Sequence, residues 1–405
     1  MSKLEELIQR YCPDGVEWST IGDVCQKVFA GGTPTSSNSS YYGGDIPWLR
    51  SGEVNFNEIT STEKTITEEG YNSSSARWVE SRSVLVAMTG ATVARSAITL
   101  IELTANQSVC ALIPKRDILN YRYLFYWISK SYIQMKGMAQ GALTSLNLNL
   151  IKSLEIPIPP LPVQEEIVRV LDTFTELQAE LQAELQKRLQ QYNYYRDNLL
   201  SFEGRTDVKW KKLGDVADLL SGFPFDSTQF TNTGIRLMRG MNIKRGQLCF
   251  NEKDDRYWKS EEGLEKYIVQ ENDIVISMDG SLVGRSFGMV KKEDLPLLLV
   301  QRVARVRSSV FNINYIYHCI NNWFPDYVDK KKTKGAIPHI SMKDISNFPI
   351  PSPSLEEQEK IASILDRFEA LTNDLSAGLP AEIEKRRQQY EFYRDKLLTF
   401  KRKEA

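Results

Sequence analysis

Few residues in this chain are arranged for catalysis. A nucleotide-phosphate loop needs G-x-x-x-x-G-K-[ST], a dinucleotide fold G-x-G-x-x-G, a zinc protease H-E-x-x-H, and an amino-methyltransferase an Asn-Pro-Pro-aromatic block. None occurs in the 405 residues. Of the 2 histidines, His318 sits in an aromatic helical stretch and His339 follows Pro338 near a domain edge. Both read as packed or surface residues. Asp and Glu are plentiful but form no dyad or metal-cluster pattern. The 5 cysteines (Cys12, Cys25, Cys110, Cys249, Cys319) are scattered without a C-x-x-C pair, and read as reduced thiols buried as small hydrophobes. Chemistry toward anions has better material. Lys330-Lys331-Lys332-Thr333-Lys334-Gly335 reads as a basic loop suited to phosphates, or else as a solvated charged loop.

Composition is that of a globular protein, 41% hydrophobic and 25% charged, with a formal net charge of −1. Neutral overall charge does not exclude a polyanion ligand, because one face alone can be basic. No apolar run approaches the roughly 18 residues of a membrane span; Leu295–Val300 is the densest. The start, Met1-Ser2-Lys3-Leu4-Glu5-Glu6, is acidic where a secretory leader is basic. The expected location is cytoplasmic.

Internal similarity supplies the elements that must position any site. Val16–Val24 returns as Val208–Val216, Met88–Ser96 as Met278–Ser286, Gly141-Ala142 as Gly335-Ala336, and Lys187–Leu200 as Lys385–Leu398. Four collinear matches at nearly constant offset make the chain a duplicated unit. Each unit opens with an irregular globule, roughly 15–155 and 207–348, carrying β-rich runs such as Val84–Met88 and Ile274–Met278. These are closed by the turns Thr89-Gly90 and Asp279-Gly280. Aromatic helical stretches follow at Tyr121–Ile133 and Tyr315–Trp323, so the globules read as mixed α/β. Proline-rich exits come next, Ile156–Pro162 and Phe348–Pro353, which cannot be helical. Ser354-Leu355-Glu356-Glu357 is a capping box.

A long helix closes each unit. Ile167, Leu171, Phe174, Leu177, Leu181, Leu185, Leu189, Tyr192, Tyr195 and Leu199 recur every 3 or 4 residues. Ile361, Leu365, Phe368, Leu371, Leu375, Leu379, Ile383, Tyr390, Tyr393 and Leu397 give a matching stripe. Gly378-Leu379-Pro380 should kink or break the second helix. The second helix can bury its stripe only by running back along the first. The expected architecture is therefore two similar globules separated by an antiparallel two-helix coiled coil with pseudo-twofold duplication. The amphipathic start (Leu4, Leu7, Ile8, Tyr11) should meet the returning end near Leu397 and Phe400. Expected boundaries are 1–160, 161–205, 206–353 and 354–405.

This layout resembles the specificity subunits of Type I restriction–modification systems. The resemblance rests on Gly31-Gly32-Thr33-Pro34, Asp45-Ile46-Pro47-Trp48, Ile340-Ser341-Met342-Lys343-Asp344-Ile345, the proline-rich run into Leu355-Glu356-Glu357-Gln358, and Leu379-Pro380-Ala381-Glu382-Ile383. Thr175-Glu176-Leu177, Gln178-Ala179-Glu180-Leu181 and Gln182-Ala183-Glu184-Leu185 are similar to the tetrad repeat of one branch, which favours Thr where Gln mostly stands here. The resemblance implies two target recognition domains, each reading half of a split double-stranded DNA site. It also implies helices that bind two modification (methyltransferase) subunits, with restriction subunits joining them. It implies no cofactor in this chain; S-adenosylmethionine, ATP and Mg are expected in the partner subunits.

Residues that match between halves cannot make the halves read different bases. Arg95 with Arg285 and Arg50 with Arg239 are therefore assigned to phosphate positioning or fold. Arg302, Lys330, Lys331 and Lys332 are further phosphate candidates. Base readout is sought in unmatched segments: Ser36–Tyr42, Thr89 and Thr92 in the first half, and Asp226–Gln229, Asp279 and Lys244-Arg245 in the second. Tyr192, Tyr195, Arg196 and Asp197, repeated as Tyr390, Tyr393, Arg394 and Asp395, read as coiled-coil seam or as a docking surface for the modification subunits. Two other classes stay open, a coiled-coil adaptor that binds protein only and a self-contained methyltransferase–reader.

The helical register generates a test. Inserting a further Gln-Ala-Glu-Leu after Leu185 adds about 6 Å of helix and turns the seam by only about 40°. With a base pair rising about 3.4 Å, the non-specific spacer between half-sites should lengthen by about one or two base pairs while both half-sites persist. A three-residue insertion rotates the seam by roughly 60° the other way and should weaken folding. An unchanged spacer in the four-residue variant, read by mapping methylated sites, would show that this helix is not the ruler.

Overall fold

The computed structural model describes residues 3–139, 145–333, 338–373 and 378–404. Gly141-Ala142, Gly335-Ala336, Lys334 and Leu375 lie outside the described residues. The chain divides into two compact units, Met1–Gln182 with Ile383–Ala405, and Ala183–Glu382.

The duplication extends to strand order. In the first unit, Cys25–Ala30, Val109–Pro114, Ser83–Ala87, Ser96–Thr99 and Asn57–Ile59 lie side by side in one sheet. In the second, Asp218–Ser221, Val303–Arg307, Ile274–Ser277 and Phe287–Met289 repeat its first four places. A second sheet, ordered Lys64–Ile66, Tyr42–Leu49, Leu103–Ala105, Trp78–Val79, recurs as Tyr257–Trp258, Ile235–Met238, Leu297–Leu299, Ile268–Val269. Ser83–Ala87 is buried on both faces. Val84 and Val86 enter the core shared with the helices, whereas Leu85 and Ala87 join the core facing the second sheet. A continuously apolar strand is what two covered faces require.

The pieces that carry the resemblance have local physical reasons. Trp48 is buried, and its indole N–H donates to the Gly32 carbonyl at 3.0 Å, tying the Asp45–Trp48 segment to the Gly-Gly-Thr-Pro loop. A Cβ on Gly31 would fall 2.0 Å from the Ala105 carbonyl oxygen, and one on Gly222 would fall 2.2 Å from that of Val300. Both units thus need glycine where two backbones approach. Ser341 and Asp344 form a reciprocal cap on Met342–Ser346. The proline exits are short strands: Glu155–Ile158 pairs antiparallel with Glu17–Thr20, and Pro349–Ser352 with Lys209–Lys212.

The central helix runs Leu161–Leu199. It takes in Leu161 and Pro162, the end of the run expected to be non-helical, because Pro162 fits a first turn, where its missing N–H is not needed. The second stripe is described as two helices, Leu355–Asn373 and Leu379–Leu397, with Pro380 likewise in a first turn. At Ser354 only half of the capping box forms. The Glu357 amide donates to the Ser354 hydroxyl at 3.2 Å, but the Glu357 carboxylate is taken by Arg205. The stripe is fully buried at Ile167, Leu171, Ile361 and Leu365, where the globules also cover it, and exposed at Leu177 and Leu371.

Within each unit the paired helices are antiparallel. In the first, Lys403 lies by Leu161 and Tyr393 stacks on Phe174 at 5.3 Å. In the second, Arg205 meets Glu357 and Tyr195 stacks on Phe368 at 5.3 Å. Leu4, Leu7 and Ile8 share a core with Leu397, Leu398 and Phe400, as the amphipathic pattern requires, whereas Tyr11, expected with them, is exposed outside it. No described helix is long and apolar enough to cross a membrane.

The fourth residue of each long helix is a buried glutamine that grips its globule. Gln164 Oε1 accepts from the Asn120 amide at 2.8 Å, and Nε2 donates to the Ile118 and Pro159 carbonyls at 2.8 and 2.7 Å. Gln358 accepts from the Asn312 amide at 3.1 Å and donates to Pro353 at 3.0 Å. Both side chains are almost wholly buried. Gln358→Leu strands a buried N–H and a buried C=O, and should lower the stability of the second unit by about 2–4 kcal/mol. A shift in denaturation midpoint worth under about 0.5 kcal/mol would be the contrary result.

Candidate nucleic-acid interface

Arg50 and Arg239 follow matched strands and each caps a short 3-10 turn. The Arg50 amide is received by Glu53 at 2.9 Å and its guanidinium by Glu63. The Arg239 amide is received by Asn242 at 3.2 Å, and its guanidinium donates to the Asp254 carbonyl. Both arginines are committed to their own loops.

Arg95 and Arg285 also occupy equivalent turns. Ala94 and Gly284, just before them, hold φ of 67° and 85°, and the arginine amides close onto Thr92 and Leu282 at 3.0 and 2.9 Å. Arg95 donates to Asn55 Oδ1 at 2.8 Å. Arg285 donates to both carboxylate oxygens of Asp329, the shorter at 2.7 Å. These bonds from Arg285, with a 2.6 Å contact from Lys332, hold the Asp329 carboxyl well below the usual carboxylate range.

Thr89 caps a 3-10 turn without a side-chain bond, and the Thr92 hydroxyl donates to the Ser51 carbonyl at 2.8 Å, joining two turns. Asp279 accepts from the exposed Arg302 at 2.9 Å. Lys330 and Lys331 do not lie in a loop. They form the last turn of Ile313–Lys331, with Lys332 as its cap, a favourable place for cations at the negative end of a helix. The helical period of Tyr315–Trp323 simply continues further than its aromatic residues signal.

Ser36–Tyr42 and Asp226–Gln229, unmatched in sequence, are matched in structure. Asn38 caps Ser39–Tyr41 by accepting from the Ser40 amide at 3.1 Å, and Asp226 caps Ser227–Gln229 by accepting from the Thr228 amide at 2.9 Å. Lys244 and Arg245 are exposed on a tight hairpin. Arg245 shares a cleft of about 180 Å³ with Arg285, Tyr317, Asn321 and Glu369. Burial raises the Glu369 carboxyl above its ordinary value.

On the helices, Tyr192 is buried and its hydroxyl accepts from Asn321 at 3.3 Å; burial pushes it up to about 12. Burial likewise pushes Tyr390 up to about 12. Arg196 and Arg394 lie over these two rings at 5.7 and 5.8 Å and pair with Asp197 and Asp395. Tyr195 and Tyr393 stack across the seam. The outward aromatics are instead Tyr194 and Phe392, 66% and 63% exposed. Sequence reasoning followed the seam and passed over them. Their signal was an aromatic adjacent to a seam position in both repeats.

His318 is buried, bonded through Nε2 to Asp366 at 2.7 Å. Cys12, Cys25, Cys110 and Cys319 are buried, but Cys249 is exposed, contrary to the uniform burial expected of the thiols. No group of His, Cys, Asp and Glu among the described residues could hold a metal ion.

Comparison with known proteins places this geometry. Residues 13–191 and 206–385 each match the family described as Type I restriction modification DNA specificity domain. The chain is 32% identical over 300 residues to the Type I restriction enzyme EcoR124I/EcoR124II specificity subunit of Escherichia coli, covering 70% of this chain and 72% of that one. It is 28% identical over 403 residues to the EcoprrI specificity subunit of Escherichia coli, covering 93% and 92%. The Type I restriction–modification S subunit from M. genitalium superposes with a TM-score of 0.61 at 14% identity, over 95% of this chain and 96% of that one. Two family matches, one on each repeat, establish that this chain belongs to the Type I restriction–modification DNA specificity family.

Proposed function

We propose that the chain is the non-catalytic subunit that gives a Type I restriction–modification complex its DNA-sequence specificity, each globule reading one half of a two-part double-stranded site. What carries the reading is the repetition of one scaffold, with the same strand order and the same arginine-bearing turns, under surfaces that differ. A reader of two different half-sites needs that combination. Modification subunits, two of them by the pseudo-symmetry, would dock on the helices through the Tyr192–Asp197 and Tyr390–Asp395 segments, with Tyr194 and Phe392 added as their outward residues. Restriction subunits would complete the nuclease. S-adenosylmethionine, ATP and Mg would be bound by those partners, and the assembly would work in the cytoplasm. Reading domains at 1–160 and 206–353, with helices at 161–205 and 354–405, suit this division of labour.

Exchanging residues 15–155 for the equivalent domain of a relative should change one half of the methylated site and leave the other unaltered. A change in both halves would overturn independent readout. An adaptor that binds protein only would show no retention on duplex DNA, whereas a reader should bind DNA with an affinity that falls steeply with salt.

A further inference from the structure

In the second unit the domain helix Ile313–Lys331, the long helix Leu355–Asn373 and the hairpin bearing Lys244 and Arg245 meet at one hydroxyl. Tyr317 Oη lies 3.4 Å from the Gly246 carbonyl oxygen of the hairpin and 3.2 Å from Glu369 Oε1. The approach is close, since a Cβ on Gly246 would fall 3.1 Å from that hydroxyl oxygen. A hydroxyl carries one proton and cannot donate to both acceptors. Its choice depends on Glu369. An ionised carboxylate only accepts, so it takes the Tyr317 hydrogen bond and leaves the Gly246 carbonyl without one. A protonated carboxyl donates to the Tyr317 oxygen, which is then free to donate to Gly246.

The surroundings raise the Glu369 carboxyl. Its side chain keeps 24% of its surface exposed, enough to exchange a proton with solvent, and burial of the rest disfavours its charge. Its own helix adds Asp366, whose charge acts in the same direction. The domain helix brings Tyr317 and His318, and the central helix brings Tyr192 with Arg196 over its ring. Arg245 and Arg285 line the same cleft. Arg285 is paired with Asp329, whereas Arg245 has no ion-pair partner among the described residues. His318 opposes the effect of burial. Its Nε2 donates to Asp366 at 2.7 Å, and its buried Nδ1, without a hydrogen-bond partner, lies 3.9 Å from Glu369 Oε2. At the matched places the first unit holds Phe125, Tyr126 and Thr175, none of which changes charge near neutrality.

Resting on the reading of this chain as a DNA specificity subunit, we propose that Glu369 and Tyr317 are positioning residues for the Lys244-Arg245 hairpin. The Glu369 proton holds the hairpin for reading, and loss of that proton releases it. The bond to Gly246 is present below the pH at which Glu369 ionises in the folded chain, and is lost as pH rises through it. The carboxylate that appears also draws Arg245 toward the cleft and away from DNA. Reading of one half-site therefore depends on pH, and reading of the other does not.

The test uses the chain assembled with its modification subunit. Binding to duplexes with single base-pair changes in either half-site is measured between about pH 5 and about pH 8. The second globule's half-site is the one that exchange of residues 15–155 leaves unaltered. Discrimination there should fall about 2- to 10-fold as pH rises, the worth of one hydrogen bond, relative to a level response in the other half-site. Glu369→Gln supplies an amide that donates as the protonated carboxyl does, and should keep the low-pH discrimination throughout. Tyr317→Phe, which installs the first unit's residue, should give the high-pH behaviour throughout. The same pH dependence in both half-sites would overturn the proposal. So would a Glu369→Gln or Tyr317→Phe complex that keeps the slope of the unaltered one, the mark of a merely structural role. If the unaltered complex recognised no two-part site at any pH, the specificity reading itself would fail, a result separable from these.

Discussion

A helix that leaves a globule at a proline has no continuous backbone ladder to hold it in direction. Here the buried amides of Gln164 and Gln358 supply that hold. Each side chain satisfies backbone groups from the start of the domain helix and from the proline exit at once. A side-chain amide carries an acceptor and two N–H donors on separate atoms, with no charge to desolvate. The cores around Ile167 and Ile361 can be dry and continuous only because these backbone groups are already paired.

Around that constraint the two units have diverged by exchanging donors while keeping acceptors. Asp172 accepts from Arg122 at 2.9 Å and from Tyr126 at 2.5 Å, whereas Asp366 accepts from Asn314 and His318, both at 2.7 Å. The carboxylate sits at the same place on each long helix, and it tolerates a guanidinium, a phenol, an amide or an imidazole provided each donates. Tyr123 and Tyr315, in contrast, are retained outright, each donating to the carbonyl of the matched proline exit. Around these two carboxylates, the tyrosine bonded to backbone is retained, and the residues bonded to the carboxylate have drifted together.

That distinction explains what was legible in the sequence. Repeats, helical stripes and proline breaks are written in single-chain patterns, and the duplicated α/β units with their long helices follow from them. The matched caps Asn38 and Asp226 were not legible. They fill the same structural role with different residues, and similarity of letters does not reveal similarity of hydrogen bonds. Glu357 illustrates a second limit. Its spacing from Ser354 specifies a reciprocal cap, but Arg205, 152 positions away in sequence, competes for the carboxylate and wins. Among the candidate site residues, the charges were visible, but whether a charge was already spent inside the protein was not. Arg50 and Arg285 are spent on acids, and Lys244 and Arg245 are not.

The exposed thiol of Cys249 has a practical consequence. Burial raises the other four thiols, Cys25 up to about 12, and so withholds the reactive thiolate. Cys249 lies immediately after the Ile243–Leu248 bridge of the hairpin bearing Lys244 and Arg245, its amide bonded to Asn242 at 2.8 Å. The native chain thus carries its own site-selective attachment point. A thiol-reactive fluorophore would report on that hairpin alone, with no engineered cysteine and no change to the side chains beside it.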